Sequence, residues 1–296
     1  MIRKIIRFFN KTYDSSIFAT TALVATAGVA SADITITGGG NAGVRDTGVA
    51  GQDPFVHTEL DFNVVGTTTT DGGVTVSASI DLDSEQSGAA GTDTNSIGDA
   101  EVSVSGAFGT VSFGNLDPAN DFGMSDIGFD GIGVDDVAEV DLNSSADVAY
   151  AYSFGDFGVT LSGNSVNDDI AVAFNYAVAG ADITLGYGKE DATGDETTQL
   201  LVKYGISDVS LELFIQQVSV ATGTDTDSYG LHAAYAVNDA LTLSAAYASS
   251  ETGTVETDAF GVGFSYGLGG GVSVAGGVGE NAADNTVMDL GIKFSF

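Results

Sequence analysis

From Met288 to Phe296 a bulky apolar side chain alternates with a small or charged one, and the chain stops on the final aromatic. Successive side chains of an extended chain point to opposite faces. Met288, Leu290, Ile292, Phe294 and Phe296 therefore share one face, and Asp289, Gly291, Lys293 and Ser295 the other. The same period of two recurs along the chain. Leu60, Phe62 and Val64 alternate with Glu59, Asp61 and Asn63, and Val76, Ala78, Ile80 and Leu82 with Ser77, Ser79, Asp81 and Asp83. Further on, Val209, Leu211, Leu213 and Ile215 oppose Ser210, Glu212, Phe214 and Gln216. No segment carries a comparable helical period. Read with the Gly, Asn, Asp and Thr clusters that bound each run, the pattern predicts an all-β chain of sixteen strands. These fall near residues 33–43, 57–67, 74–83, 99–106, 110–114, 147–154, 158–164, 169–177, 181–188, 197–204, 209–218, 227–236, 241–249, 257–266, 271–278 and 286–296.

A water-soluble sandwich would alternate in the same way, so the connections decide. Even-numbered strands end in short turns, at 68–73, 107–109, 155–157, 178–180, 205–208, 237–240 and 267–270. Most odd-numbered strands lead into longer acidic stretches, such as 84–98, 190–196, 219–226 and 250–256. Short turns on one rim and longer loops on the other are expected of an antiparallel transmembrane barrel. Closure leaves no unpaired strand edge and satisfies the backbone inside lipid. Tyr150, Tyr152, Tyr176, Tyr187, Tyr204, Tyr229, Tyr235, Tyr247 and Tyr266 fall on the aliphatic face, where interfacial girdles form. Tyrosine favours any sheet, so this adds weight without deciding.

One connection is far longer than the rest. Residues 115–146 carry Asp117, Asp121, Asp126, Asp130, Asp135, Asp136, Glu139 and Asp141, interspersed with Phe122, Met124, Ile127, Phe129, Ile132 and Val134. Loops of this length are uncommon unless functional or disordered. The apolar residues predict that it packs against something, which makes its carboxylates candidates for a constriction inside the barrel. An exposed acidic surface loop is the alternative.

Composition sharpens the setting. The chain of 296 residues has no Cys, so a disulfide framework is excluded. Arg3, Lys4, Arg7 and Lys11, then a mildly apolar run from Ile17 to Val29, then Ala30-Ser31-Ala32, form a cleavable signal pattern over 1–32. The apolar run is short of the roughly 20 residues a spanning helix needs. The exported domain is then 33–296. The whole chain stands at −33; removing four of its eight basic residues and one of its 41 acidic ones takes the exported part to −36. Such charge disfavours nucleic acid as a partner and favours cations. With ordered alternation in a chain that is 43% hydrophobic, disorder is the wrong reading.

Several runs resemble the trimeric general porins of alphaproteobacterial outer membranes. They are Phe18-Ala19-Thr20-Thr21-Ala22-Leu23-Val24-Ala25, the turn Val65-Gly66-Thr67-Thr68-Thr69-Thr70-Asp71-Gly72-Gly73-Val74, Val111-Ser112-Phe113-Gly114-Asn115, Tyr152-Ser153-Phe154-Gly155-Asp156-Phe157, and the segment 285–296. The resemblance implies a 16-stranded barrel in the Gram-negative outer membrane, in contact with its lipids and assembled as a homotrimer. Small hydrophilic solutes and ions would diffuse through it passively. It also implies that loop 115–146 folds inward and narrows the passage, and that Phe296 serves delivery to the barrel-assembly machinery. No cofactor is required, although some relatives hold calcium among loop carboxylates; no ligand set is matched here. One departure stands out. Where relatives place basic residues on the inward faces of the first three strands, this chain has Asn41, Glu59, Asp61, Ser79 and Asp81. Arg45 is placed just beyond the first strand, Lys189 at a loop, and Lys203 and Lys293 facing inward. The expected lumen is negative nearly all round, and cation-selective.

Other classes of function fare worse. A nucleophilic site needs a base beside a hydroxyl or thiol, and the only histidines are His57 and His232. Gly38-Gly39-Gly40-Asn41-Ala42-Gly43 lacks the helix of a nucleotide fingerprint, and calcium-binding nonapeptide repeats do not recur. A non-conducting barrel, structural or adhesive, remains the alternative, because an apolar outer face says nothing about what passes through the middle.

Overall fold

The computed structural model describes residues 32–87, 92–140 and 145–296. The expected signal segment, apart from Ala32, and Asp141 lie outside them. Sixteen antiparallel strands close into one barrel, each pairing with its neighbours in sequence and β1 pairing with β16. They are β1 (Asp33–Asp46), β2 (Phe55–Thr69), β3 (Thr75–Ser87), β4 (Thr92–Gly106), β5 (Gly109–Leu116), β6 (Ala146–Phe154), β7 (Phe157–Gly163), β8 (Ile170–Val178), β9 (Ala181–Lys189), β10 (Glu196–Ile206), β11 (Val209–Ser219), β12 (Thr226–Ala236), β13 (Leu241–Thr252), β14 (Val255–Gly269), β15 (Val272–Glu280) and β16 (Thr286–Ser295). A single helical turn, α1 (Asp135–Ala138), lies in the connection after β5.

The two faces of the wall follow the alternation. Val56, Leu60, Leu211, Ile215, Leu243, Phe260, Val262, Met288, Leu290 and Ile292 are exposed on the outside. So continuous an apolar surface on a folded chain marks contact with membrane. Between them Phe214, Gln216, Ser228, His232 and Asp289 are buried on the inside. Short connections gather at one rim, where Ala179 and Gly180, at φ 49° and 83°, form the two-residue hairpin between β8 and β9. At the same rim Tyr152, Phe154, Phe157 and Tyr176 stack in series, the last pair at 4.3 Å between ring centres. The seam is closed by the chain terminus: Phe296 N donates to Gly38 O at 2.9 Å, and Gly38 N donates back to Phe296 O at 3.1 Å.

Three expectations are corrected. The stretch 84–98 is mostly wall, since β3 runs to Ser87 and β4 begins at Thr92. The stretch 250–256 is likewise taken up by β13 and β14, leaving only 253 and 254 between them. Both are mostly polar, with Ile97 and Val255 as exceptions; the ladder continues where the hydrophobic alternation stops. Arg45 lies within β1 rather than after it, opposite Asp289 of β16.

Candidate functional site

At Leu116 the chain leaves the wall. The pairing of β5 with β6 shifts register between Phe113 and Leu116, and Gly114, at φ 141°, passes within a Cβ's width of Ala100 O. Residues 117–140 then meet inward-facing side chains from distant strands. Ser162 on β7 accepts from Ala119 N at 2.7 Å. Glu212 on β11 accepts from both Ser125 N and Ser125 Oγ at 2.9 Å. Gln216, also on β11, accepts from Val140 N at 2.6 Å and donates to Val140 O at 3.1 Å, while Ser228 on β12 donates to Ala138 O at 2.5 Å. Asp289 on β16 accepts from Phe129 N at 3.0 Å, Asp130 N at 3.2 Å and Gly277 N of β15 at 2.6 Å.

The apolar side of the loop lies directly on backbone, because the wall beneath it is glycine. A Cβ at Gly230 would fall 2.1 Å from Met124 Sδ, one at Gly261 the same distance from Ile132, and one at Gly263 2.3 Å from Ile127. Phe129 covers Gly43 and Gly291 in the same manner. Met124, Ile127, Ile132, Val134, Val137 and Ala138 thereby join Leu201, Phe214, Ala246, Ala248, Ala259 and Val287 in one buried apolar cluster. This is the protein's interior core, placed between a loop and a wall rather than between two sheets.

The loop carboxylates divide into groups. Asp126 is spent on the loop's own turn, accepting from Gly133 N at 2.9 Å and Val134 N at 3.3 Å, and Glu139 accepts from Met124 N at 2.6 Å. Asp130 sits at the tip, 2.5 Å from Arg45 Nη1 and 2.9 Å from His57 Nε2. Burial alone would push its carboxyl up, but contact with His57 and then Arg45 outweighs this and holds it below the ordinary carboxylate range. Asp117 and Asp121 are half-buried near the start of the loop; Asp135 and Asp136 begin α1, with Asp136 exposed.

In the ring of sixteen, β3 lies opposite β11. The β2–β3 wall carries no apolar platform for the loop; it carries facing acids. Glu59 pairs directly across from Glu85, Asp61 from Asp83 and Asp81 from Asn63. Asn41 donates to Glu59 at 2.9 Å and Ser96 to Asp83 at 3.3 Å. Like charges directly opposite one another on a sheet are destabilising, so this ladder is not explained by fold stability. Three of the cations outside the expected signal are ion-paired: Arg45 with Asp130, Lys189 with Glu196 at 3.2 Å and Lys203 with Glu212 at 3.4 Å.

Sequence reasoning singled out Glu59, Asp61 and Asp81 but passed over their partners Asp83 and Glu85, which fell at an underestimated strand end. It also missed the Arg45–Asp130–His57 contact and the glycine platform. The alternation of Gly261 and Gly263, and of Gly277 and Gly279, on the face away from the lipid was a usable signal for the platform.

A closed barrel, apolar outside and lined with polar side chains and a docked loop inside, defines an outer-membrane channel protein. The chain belongs to the Gram-negative porin family, whose model matches residues 19–286. It is 27% identical to a porin of Fuscovulum blasticum over 314 aligned residues, covering 89% of this chain and all of that one. A porin of Rhodobacter capsulatus is 31% identical over 182 residues, half of this chain and 60% of the other. Among solved structures, a multiply substituted mutant of the Rh. blastica porin superposes with a TM-score of 0.72 at 26% identity, over 89% of this chain and 100% of its own.

Proposed function

We propose that this porin is a cation-selective channel for passive diffusion of small hydrophilic solutes and ions, whose passage runs between the acidic β2–β3 wall and the loop residues 117–140. The observation that carries the reading is the ladder of facing carboxylates on β2 and β3, set in a chain whose arginine and two of whose lysines outside the signal are ion-paired. Rings and rows of carboxylates concentrate cations and repel anions. Screening limits the effect, since the Debye length falls from about 10 Å at 0.1 M salt to about 3 Å at 1 M.

The test is the reversal potential of a planar bilayer under a KCl gradient. A cation-directed potential is expected, shrinking as ionic strength rises and shrinking further in the triple variant Glu59→Gln/Asp61→Asn/Asp81→Asn. Anion preference would overturn the selectivity. Absence of any conductance would favour the non-conducting structural or adhesive barrel instead.

The glycine platform supports the constricting role of the loop. In Gly230→Val the added side chain meets Met124 and Ala138, an overpacking that costs about 1–3 kcal/mol. The loop is expected to lift from the wall and single-channel conductance to rise. Unchanged conductance with the loop displaced, shown by protease cleavage within 117–140, would deny the loop that role.

The rest of the reading extends the family resemblance. The chain is exported by a signal cleaved after Ala32, delivered through Phe296 to the barrel-assembly machinery, and assembled as three copies among outer-membrane lipids. Passive diffusion needs no cofactor, and calcium held by loop carboxylates would be structural. Amino-terminal sequencing of membrane-extracted protein should begin at Asp33, and native mass in mild detergent should give three chains.

A further inference from the structure

Where the loop tip meets the start of β2, Glu59 of the acidic ladder stands with two side chains, His57 and Asp130, that the channel reading does not use. His57 Nε2, a carboxylate oxygen of Glu59 and one of Asp130 lie within 4.8 Å of one another. His57 is 2% exposed, and the edge of Phe129 packs against its ring at 5.8 Å. Its Nε2 lies 2.9 Å from Asp130 Oδ1. One atom nearby is unpartnered. Asn41, 8% exposed, donates through its amide nitrogen to Glu59 and leaves Oδ1 buried without a hydrogen bond. A buried polar atom without a partner costs free energy and asks for an explanation.

We propose that His57, Glu59 and Asp130 form a binding site for a divalent transition-metal ion of the zinc type, with Asn41 beside it. Imidazole nitrogen with two carboxylates is a borderline donor set that suits zinc and its first-row neighbours, whereas calcium and magnesium take oxygen ligands. Tetrahedral ligand bonds of about 2.0–2.2 Å place neighbouring donor atoms roughly 3.4 Å apart, so the 2.9 Å between His57 Nε2 and Asp130 Oδ1 needs only a small opening to admit the ion. The charges also suit a dication: a neutral imidazole and two carboxylates, with Arg45 Nη1 on the other oxygen of Asp130, leave one net negative charge around the ion. Three ligands leave room for water or the Asn41 carbonyl as a fourth. Because Asp130 belongs to the loop and the other two to β2, the ion would fasten the tip of the loop to the wall.

The site needs only the fold, so binding is measured in detergent solution whether or not the channel conducts. Metal-free protein is titrated with zinc chloride by calorimetry and with cobalt chloride by visible absorption. One saturable ion per chain is expected, with a cobalt spectrum of mixed nitrogen and oxygen ligation. In His57→Gln and in Glu59→Gln, each checked by circular dichroism for an intact barrel, affinity should fall by about tenfold or more, the scale on which even outer-shell changes act at metal sites. Excess calcium should not displace the zinc. Absence of saturable zinc binding in the parent protein, undiminished binding in His57→Gln, or displacement by an equal concentration of calcium would overturn the assignment.

Discussion

Replacing Asp289 with alanine is expected to release the loop tip and weaken the barrel's interior more than any other single polar change. Its carboxylate, 6% exposed, accepts three backbone hydrogen bonds, two from the loop at Phe129 and Asp130 and one from Gly277 of the adjacent strand. Removing it leaves three donors that water reaches poorly, each costing about 1–3 kcal/mol if unsatisfied. Relaxation recovers part, so a net loss of about 3 kcal/mol is expected on that scale. Hydrogen exchange of the amides at 129 and 130 should accelerate strongly, and the loop should become sensitive to protease. Asp289→Asn, which keeps an acceptor, should lose less. Protection unchanged in the alanine variant would mean that the tip is held by Arg45 and His57 instead.

On the outer face, Leu213→Arg is expected to impair insertion by about 2–4 kcal/mol if the residue lies near the bilayer midplane, the cost of a basic side chain on the lipid face of a barrel there. Leu213 pairs with Val202 and Leu231 on its two neighbours, and the flanking outward residues Leu211 and Ile215 are each 43% exposed. Ser210→Arg, on the opposite face, should be tolerated. Folding into lipid vesicles followed over a urea titration separates the two; equal losses would mean that the faces of β11 are misassigned.

The barrel was legible in the chain because lipid imposes a strict rule on every second residue of each spanning segment. Strand number and faces followed from that rule at places such as Leu211 to Ile215 and Met288 to Ile292. The rule lapses beyond the membrane, which is why the far end of β3, the start of β4 and residues 250–256 of the β13–β14 hairpin read as loop. The interior was less legible. Glu59, Asp61 and Asp81 could be placed on the inner face by parity, but their cross-strand partners depend on register, which parity does not supply. Arg45, His57 and Asp130 come from β1, β2 and the loop, and no local pattern links them. The roles of Asp126 and Glu139 were hidden for another reason: a carboxylate folded back on its own loop looks in sequence like any other acid.

The glycine platform and the anchors of the loop also set an order of events in folding. The loop's partners on β11 and β12 are made 76 to 90 residues after it, and Asp289 about 160 residues after it. Contacts so remote in sequence form late, because the chain between them must first be ordered. Gly43 and Gly291, which Phe129 covers, come together only when β1 meets β16. Until that last seam closes, Phe129 has no complete surface to bury against, and Met124, Ile127 and Ile132 must wait for the glycines of β12, β14 and β15. The loop is therefore the final piece to settle, and the unfinished barrel must be kept from aggregating while those four side chains wait.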